Sequence, residues 1–501
     1  MIEYLLFPAV ALIVAVIAAF AYVFKTRPGQ DGTPPGPMGI PFLGYIPFLG
    51  SYPWIGLEKL RDKYPKLVAL YMGKDYTVVL QDYEAVEAAL IKQDEMYRGR
   101  PEAFLLRYFQ SGRDGEVHGV LFLEGPKWEA THAYLRETLR DDLGAYTRKM
   151  DDICVEECQK MMQRFLEQRG AFVPDDLIYH AKMNAMGRLM FGRPLSDAEF
   201  DRITKHDDTA FAQLAGGVVT MYPWTRFIPG PTMKGWTDVQ YAVEQRFQLM
   251  EKELAEHTAT YQQGVIRDFM DAYLRHIKEG DNKDQLAMQN NDDLMCTAAA
   301  AFAAGSEATT VSLLWGVLYL VAHPEVQKKV HEELDRVIGR SRAVHYDDID
   351  NLPYTAATVY EYLRLGGSAP LGNPRSTFEE TELLGYRIPK RTQILPNLHA
   401  INRNPQYYDD PLSFKPERFI GPDGEVHLPK QFMPFSVGTR FCPGVDAAKT
   451  LTFTFFANMM HKLDIRSAKG QDLPPFDEYR VGISSRPLEF KIEAVERGTG
   501  F

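Results

Sequence analysis

Cysteine is scarce in this chain of 501 residues: Cys154, Cys158, Cys296 and Cys442 are the only four. Four cysteines cannot staple a body of this size, so folding must rest on a buried apolar core, and the body belongs in a reducing compartment. Cys154 and Cys158 stand one turn apart in a charged, helix-like run, a poor geometry for a disulfide and no zinc pattern without further ligands. An excess of basic residues is missing too. Lys and Arg number 56 against 67 Asp and Glu, leaving a formal net charge of −11, which argues against a general nucleic-acid binder. No repeat at a solenoid period, no zinc-finger spacing and no low-complexity basic tract is present. No GxGxxG stands between a strand and a helix, so the chain has no fingerprint for binding a dinucleotide itself.

What is present is an ordinary globular composition, 45 % hydrophobic and 25 % charged. The length suits one large enzyme fold or two or three smaller ones. Residues 4–24 carry no charge and are rich in Leu, Val, Ala and Ile. At about 1.5 Å per residue such a helix spans about 31 Å, close to a bilayer core. The apolar run of a signal peptide is normally shorter. Lys25 and Arg27 follow at once, which by the positive-inside rule leaves the rest of the chain in the cytosol. We expect a membrane anchor over 1–26, a polar and proline-rich hinge over 27–40 with Thr33-Pro-Pro-Gly-Pro37 as a stiff spacer, and a catalytic body over 41–501.

Two apolar runs, 67–72 and 76–80, flank Gly73-Lys-Asp and predict a β-hairpin, with a helix over about 83–92. The pattern stays mostly helical to about 260, broken near 112–119 and 216–235. The second break holds Tyr222-Pro-Trp-Thr-Arg-Phe-Ile-Pro-Gly. It reads equally as a buried loop or as a loop dipping into lipid, with Trp224 and Trp236 at the interface. A long helix is expected over 292–322, ahead of Pro324, and short strands near Gly385-Tyr-Arg-Ile-Pro and Arg486-Pro-Leu-Glu-Phe-Lys-Ile. The fold class is mainly α with small β-sheets (α+β).

The chemistry concentrates in Phe435-Ser-Val-Gly438-Thr-Arg440-Phe-Cys442-Pro-Gly444. A lone cysteine is ordinarily a small buried hydrophobe. Here it precedes a largely apolar helical run, whose positive end favours thiolate. The glycines let backbone approach a large flat group, and Arg440 offers a fixed cation suited to a carboxylate. Together these suit the iron of a haem bearing propionates. In the long helix, residues 298–305 are only Ala, Phe and Gly, leaving room either for a flat cofactor or for tight helix packing. Then come Ser306-Glu307-Ala308-Thr309-Thr310, a carboxylate beside hydroxyls midway along an apolar helix, expensive to bury unless hydrogen-bonded or functional. Glu361-Tyr-Leu-Arg364 has the spacing of a helical ion pair.

The motif Phe-x-x-Gly-x-Arg-x-Cys-x-Gly resembles the haem-thiolate signature of the cytochrome P-450 superfamily. The proline hinge, the Trp128 helix, the acid-bearing helix, Glu-x-x-Arg and Pro416-Glu-Arg418-Phe resemble family segments in the same order, most like the animal microsomal branch. The resemblance implies a single large catalytic domain of the cytochrome P-450 fold behind an N-terminal transmembrane helix. It implies heme b (iron protoporphyrin IX) with Cys442 as axial ligand, framed by Phe435, Gly438, Arg440 and Gly444. Arg100, Trp128, His132, Arg375 and Arg440 are its candidates for the propionates, although His132 stands where the family's Trp-x-x-x-Arg pattern has arginine. Glu361, Arg364 and Arg418 would form a buried charge network. Ala304-Gly305-Ser306-Glu307 resembles the oxygen-activation motif, with Glu307 delivering protons together with Thr309, Thr310 or water. The family has threonine directly after the acid, and this chain has Ala308.

The resemblance further implies a monooxygenase that inserts one atom of O₂ into a lipophilic steroid, fatty acid or foreign compound. Electrons would come from NADPH through a separate flavoprotein reductase, docking near Lys127, Arg140 and Lys449, with cytochrome b5 as a further candidate donor. Apolar pocket positions would include Phe104, Leu121, Ala301, Ala304, Leu371 and Ile483. The expected location is the endoplasmic reticulum membrane, single-pass, with the body facing the cytosol. A reductase-independent peroxide isomerase or dehydratase is the alternative, towards which Ala308 leans. A non-enzymatic haem sensor is a third class, against which the acid in the helix argues.

Overall fold

The computed structural model describes residues 14, 17, 20, 21, 27–144, 148–279, 287–480 and 482–498. Most of the expected anchor over 4–24 therefore lies outside the described residues. The chain divides into two compact units interleaved along the sequence. The first comprises Met1–Glu102, Pro370–Pro411 and Ser436–Phe441; the second comprises Ala103–Ala369, Leu412–Phe435 and Cys442–Phe501.

The first unit is built on the expected hairpin. Strands Leu67–Met72 and Asp75–Leu80 pair antiparallel from Leu67↔Leu80 to Met72↔Asp75. Gly73 takes a positive φ of 62° in the two-residue turn, a conformation that glycine adopts without strain. The second strand then pairs parallel with Gln393–Pro396, which pairs antiparallel with Arg375–Ser376. Leu49, Leu57, Val68, Leu70, Val79 and Leu395 form its core, because alternate residues of these strands face one side. The helix expected over 83–92 is present in two parts, Tyr83–Glu87 and a wider turn Ala88–Lys92, with Asp82 capping the start. The proline-rich segment is not merely a spacer: the Pro35 carbonyl accepts from Ala69 N–H at 2.9 Å, so it edges the sheet.

The second unit is mainly helical. Its central helix is Asn291–Ala322, one residue longer at its start than expected, opened by a reciprocal capping box between Asn290 and Asp293 and closed before Pro324. Around it pack Asp175–Phe191, Pro231–Thr260, Pro353–Leu365 and Val445–Lys462. Among the described residues this central helix is the one long and apolar enough to cross a membrane. Because 78 % of its most apolar stretch is buried in protein, it is a core helix. The C-terminal strands are short: Leu463–Ser467 with Ile492–Glu496, and Tyr479–Arg480 with Arg486–Pro487. Cys154 and Cys158 are both buried and free, on the inner face of Arg148–Glu167.

The break over 216–235 is resolved into a helical turn Val218–Met221, a tight turn Pro223–Phe227, and the start of the helix at Pro231. Trp224 and Phe227 are 63 % and 67 % exposed, which rules out the buried-loop reading for this segment. Trp236 corrects the other reading. It turns inward, its ring 4.6 Å from Tyr108 and 5.6 Å from Phe104, because an indole gains more against aromatic neighbours than in water.

Candidate active site

The cysteine loop is closed by a backbone bond. Cys442 N–H donates to the Phe435 carbonyl at 2.9 Å, and the Cys442 carbonyl accepts from Val445 at 3.3 Å as the helix Val445–Lys462 begins. The helix mouth does not by itself yield a thiolate. Burial pushes the Cys442 thiol up to about 11, outweighing the N–H of Gly444, which acts in the opposite direction. Desolvation therefore wins over the helix end, and a bound metal cation is what would reverse it. A side chain built at Gly444 would meet only Leu139, at 3.8 Å, so the loop is open on that side.

Within the first unit, Ser436–Phe441 is held by ionic contacts. Arg375 is 1 % exposed and donates to the Val437 carbonyl at 2.5 Å and to Asp94 and Ser436 at 3.2 Å each. Burial lowers its pKa to about 10, with Asp94 opposing. Asp94 also accepts from the Thr439 hydroxyl and, at 3.1 Å, from its N–H. Arg440 donates through Nε to the Arg98 carbonyl at 2.8 Å, and Arg100 through Nη1 to the Pro374 carbonyl at 2.6 Å. At Gly438, φ is 72° and a Cβ would fall 1.9 Å from the Leu90 carbonyl oxygen, so glycine is required there by packing. Asp94 carried no motif in the sequence; only its partners did.

In the second unit, Trp128 and His132 are buried one turn apart, ring centroids 5.3 Å from each other. The expected charge network is present. Glu361 accepts from Arg364 Nε and Nη2 at 2.8 Å each and from Arg418 Nε at 2.9 Å, while Lys415 N–H adds a fourth contact at 2.9 Å. Both arginines also reach the Ser413 carbonyl. Of the cations expected for docking, Lys127 is bonded to the buried Asp293 at 2.7 Å, and the partly exposed Arg140 pairs with its neighbour Asp141.

The central helix is buried almost throughout, yet one stripe is not. Ala304 is exposed, and Ala301, Gly305 and Ala308 are half-buried, although all four lie mid-core. Ala301, Ala304 and Ala308 stand at i, i+3 and i+7 on one helix face that is left partly uncovered, whereas a Cβ on Gly305 would fall 2.7 Å from Met186. Small, partly exposed side chains on the same unit as a half-buried cysteine at an open glycine fit a large flat cofactor.

The acid of this helix has partners that the sequence did not announce. Glu307 is 6 % exposed, gripped by Arg486 on both oxygens (Nε to Oε1 at 3.0 Å) and by the Ser484 hydroxyl at 2.5 Å. Arg486 also reaches Asp175 at 2.8 Å, and Arg480 joins Asp175 at 2.7 Å. Burial raises the pKa of Asp175 despite both arginines. The Thr309 hydroxyl is spent on the Gly305 carbonyl at 2.6 Å, the back-bond usual for threonine in a helix. Thr310 is buried with its hydroxyl unpartnered.

Comparison with known proteins is consistent with this arrangement. Residues 34–494 match the family described as Cytochrome P450. The chain is 30 % identical to rat Cytochrome P450 2U1, covering 95 % of this chain and 93 % of the relative. It is 29 % identical to human Cytochrome P450 2J2, with 96 % and 94 % covered, and 29 % identical to rabbit Cytochrome P450 2B4, with 95 % and 96 % covered. The chain belongs to the cytochrome P450 family and is an oxidoreductase of the monooxygenase type.

Proposed function

We propose that this chain is a membrane-anchored haem-thiolate monooxygenase acting on a lipophilic small molecule, with electrons from NADPH through a separate reductase. The partly uncovered face of Ala301, Ala304 and Ala308 on a largely buried helix carries the reading. Cys442 is the residue that would hold the haem iron through its sulfur, with Phe435, Gly438 and Gly444 shaping its loop. Arg100, Arg375, Arg440, Trp128 and His132 are proposed for the propionates. The haem, when bound, supplies the binding and cleavage of O₂, and a thiolate ligand favours that cleavage.

The protein's part is positioning and proton supply. The Glu361 network fixes the chain around Ser413 and Lys415, upstream of the cysteine loop. Glu307 is the proposed proton-handling group, and the hydroxyl of Thr309 is occupied elsewhere. Phe104, Leu121, Ala301, Ala304, Leu371 and Ile483 are the proposed substrate-facing positions, all apolar, which favours a lipophilic substrate. We assign 1–26 to the anchor, 27–40 to the hinge and 41–501 to the catalytic body, on the cytosolic face of the endoplasmic reticulum membrane. The exposed Trp224, Phe227 and Ile228 support contact with lipid. Lys127, Arg140 and Lys449 are the proposed docking contacts for the reductase, Lys127 being bonded to Asp293 and the partly exposed Arg140 to its neighbour Asp141.

The test is the carbon monoxide difference spectrum of the reduced protein beside Cys442→His. A strongly red-shifted Soret band in the wild type, lost in the variant, supports the assignment. Haem binding without that shift removes Cys442 as thiolate ligand. Turnover of a hydroperoxide without NADPH or reductase would replace the monooxygenase reading.

A further inference from the structure

The helix that carries Glu307 lacks a hydroxyl on the next residue, Ala308, and the two hydroxyls that follow are not on the acid. Thr309 donates to its own helix, and Thr310 touches no polar group. One hydroxyl does reach the carboxylate: Ser484, from the loop between Tyr479–Arg480 and Arg486–Pro487, at 2.5 Å from Oε1. Ser484 is itself buried and next to Ile483, a proposed substrate-facing position. Arg486, two residues on, grips the same carboxylate and ties it to Asp175 at the start of Asp175–Phe191. The loop is thus fastened to the acid at two points, and its lever arm is only two residues long.

We propose that Ser484 is the alcohol partner of Glu307, a positioning residue for proton delivery that stands in for the hydroxyl absent at Ala308. The proposal rests on the monooxygenase reading above. A hydroxyl is both donor and acceptor. Ser484 donates to Oε1 while Glu307 is charged and accepts from it when the carboxyl is protonated, so the contact survives either state without net transfer of a proton. Arg486 can only donate, and it balances the charged form alone. An acid held this way by a separate segment keeps its direction without a neighbouring threonine.

The experiment uses the full-length holoenzyme with reductase and compares Ser484→Ala, Ser484→Thr and the double variant Ala308→Thr/Ser484→Ala. Readouts are the fraction of consumed NADPH lost as hydrogen peroxide, the pH profile of turnover, and the infrared carboxyl band that disappears in Glu307→Gln. Ser484→Ala should raise peroxide loss about fivefold, the worth of one ordinary hydrogen bond, and shift both the pH profile and the carboxyl band. Ser484→Thr should restore all three. The double variant should recover part of the coupling, with a hydroxyl now on the helix. Unchanged coupling and an unshifted carboxyl band in Ser484→Ala would overturn the proposal. So would a loss confined to melting temperature and substrate KM that Ser484→Thr does not rescue, since that marks a structural strap. Failure of the monooxygenase reading is seen separately, as a wild type without the red-shifted carbon monoxide band or without reductase-supported turnover.

Discussion

Replacing Lys182 with methionine should stabilise the protein at neutral pH and weaken it slightly near pH 10.5. Lys182 is fully buried in Asp175–Phe191, its Nζ donating to the Leu451 carbonyl at 2.9 Å and lying 3.5 Å from the centre of the Phe455 ring. Its other titratable neighbours are Cys154 and Cys158, whose thiols burial pushes up and keeps neutral. Among the described residues no carboxylate offsets the charge, and burial lowers the lysine pKa from 10.5 to about 7. The folded chain therefore sheds a proton that the unfolded chain keeps, and between about pH 7 and 10.5 the unfolded state binds more protons. Stability must rise with pH across that window. The difference of about 3.5 pH units is worth roughly 5 kcal/mol, nearly all of it still a penalty at pH 7. Lys182→Met removes the penalty and forfeits one hydrogen bond of about 1 kcal/mol, leaving a net gain of roughly 3 kcal/mol at pH 7. Near pH 10.5 the penalty has fallen to about 0.4 kcal/mol, less than the lost bond, so the sign reverses. Denaturant midpoints of wild type and variant at the two pH values check this. A variant no more stable than wild type at pH 7, or an offset that does not change with pH, would refute the reasoning.

Glu361→Gln should cost about 3–5 kcal/mol, because it strands two buried arginines, and denaturant unfolding should show the loss even at high salt. Replacing His118 by alanine should destabilise more at pH 6 than at pH 9. Burial disfavours its charged form, but bonds to Asp293 at 2.7 Å and Asp114 at 2.9 Å outweigh it and raise its pKa. Its contribution, about 1–2 kcal/mol, is complete below the unfolded pKa and fades as pH rises through the folded one, which thermal melts at both pH values would show. Trp224 should be quenched by brominated lipid in vesicle-bound protein, with the effect lost in Trp224→Phe. Equal quenching in that variant would take the segment off the membrane surface.

The sequence yielded what short-range chemistry dictates. The hairpin at 67–80, the long helix before Pro324 and the helix after Cys442 were legible because apolar period and turn residues act within a few positions. Glu361 with Arg364 was legible from spacing, and Arg418 from resemblance. Asp94, Ser484, Arg486 and Asp175 were not, since each works across a gap that no local pattern encodes: Ser484 is 177 positions from Glu307. Trp236 misled for a related reason, as its burial depends on Tyr108 and Phe104 far away in the chain. The thiol of Cys442 shows a competition that residue types alone cannot weigh, desolvation against a helix end.

The parallel pairing of Asp75–Leu80 with Gln393–Pro396 also sets a schedule for biosynthesis. Some 313 residues separate Leu80 from Gln393, so at about 5–20 residues per second the ribosome needs roughly 15–60 s to deliver the missing strand. Through that interval the hairpin holds an open edge of unpaired N–H and C=O groups, the kind that recruits other chains. The first unit cannot close until its last segment, ending at Phe441, has been made. A nascent chain stalled anywhere before the cysteine loop thus carries an unfinished sheet edge, and the signature motif delivers the last segment of the first unit, while the second unit still awaits Cys442–Phe501.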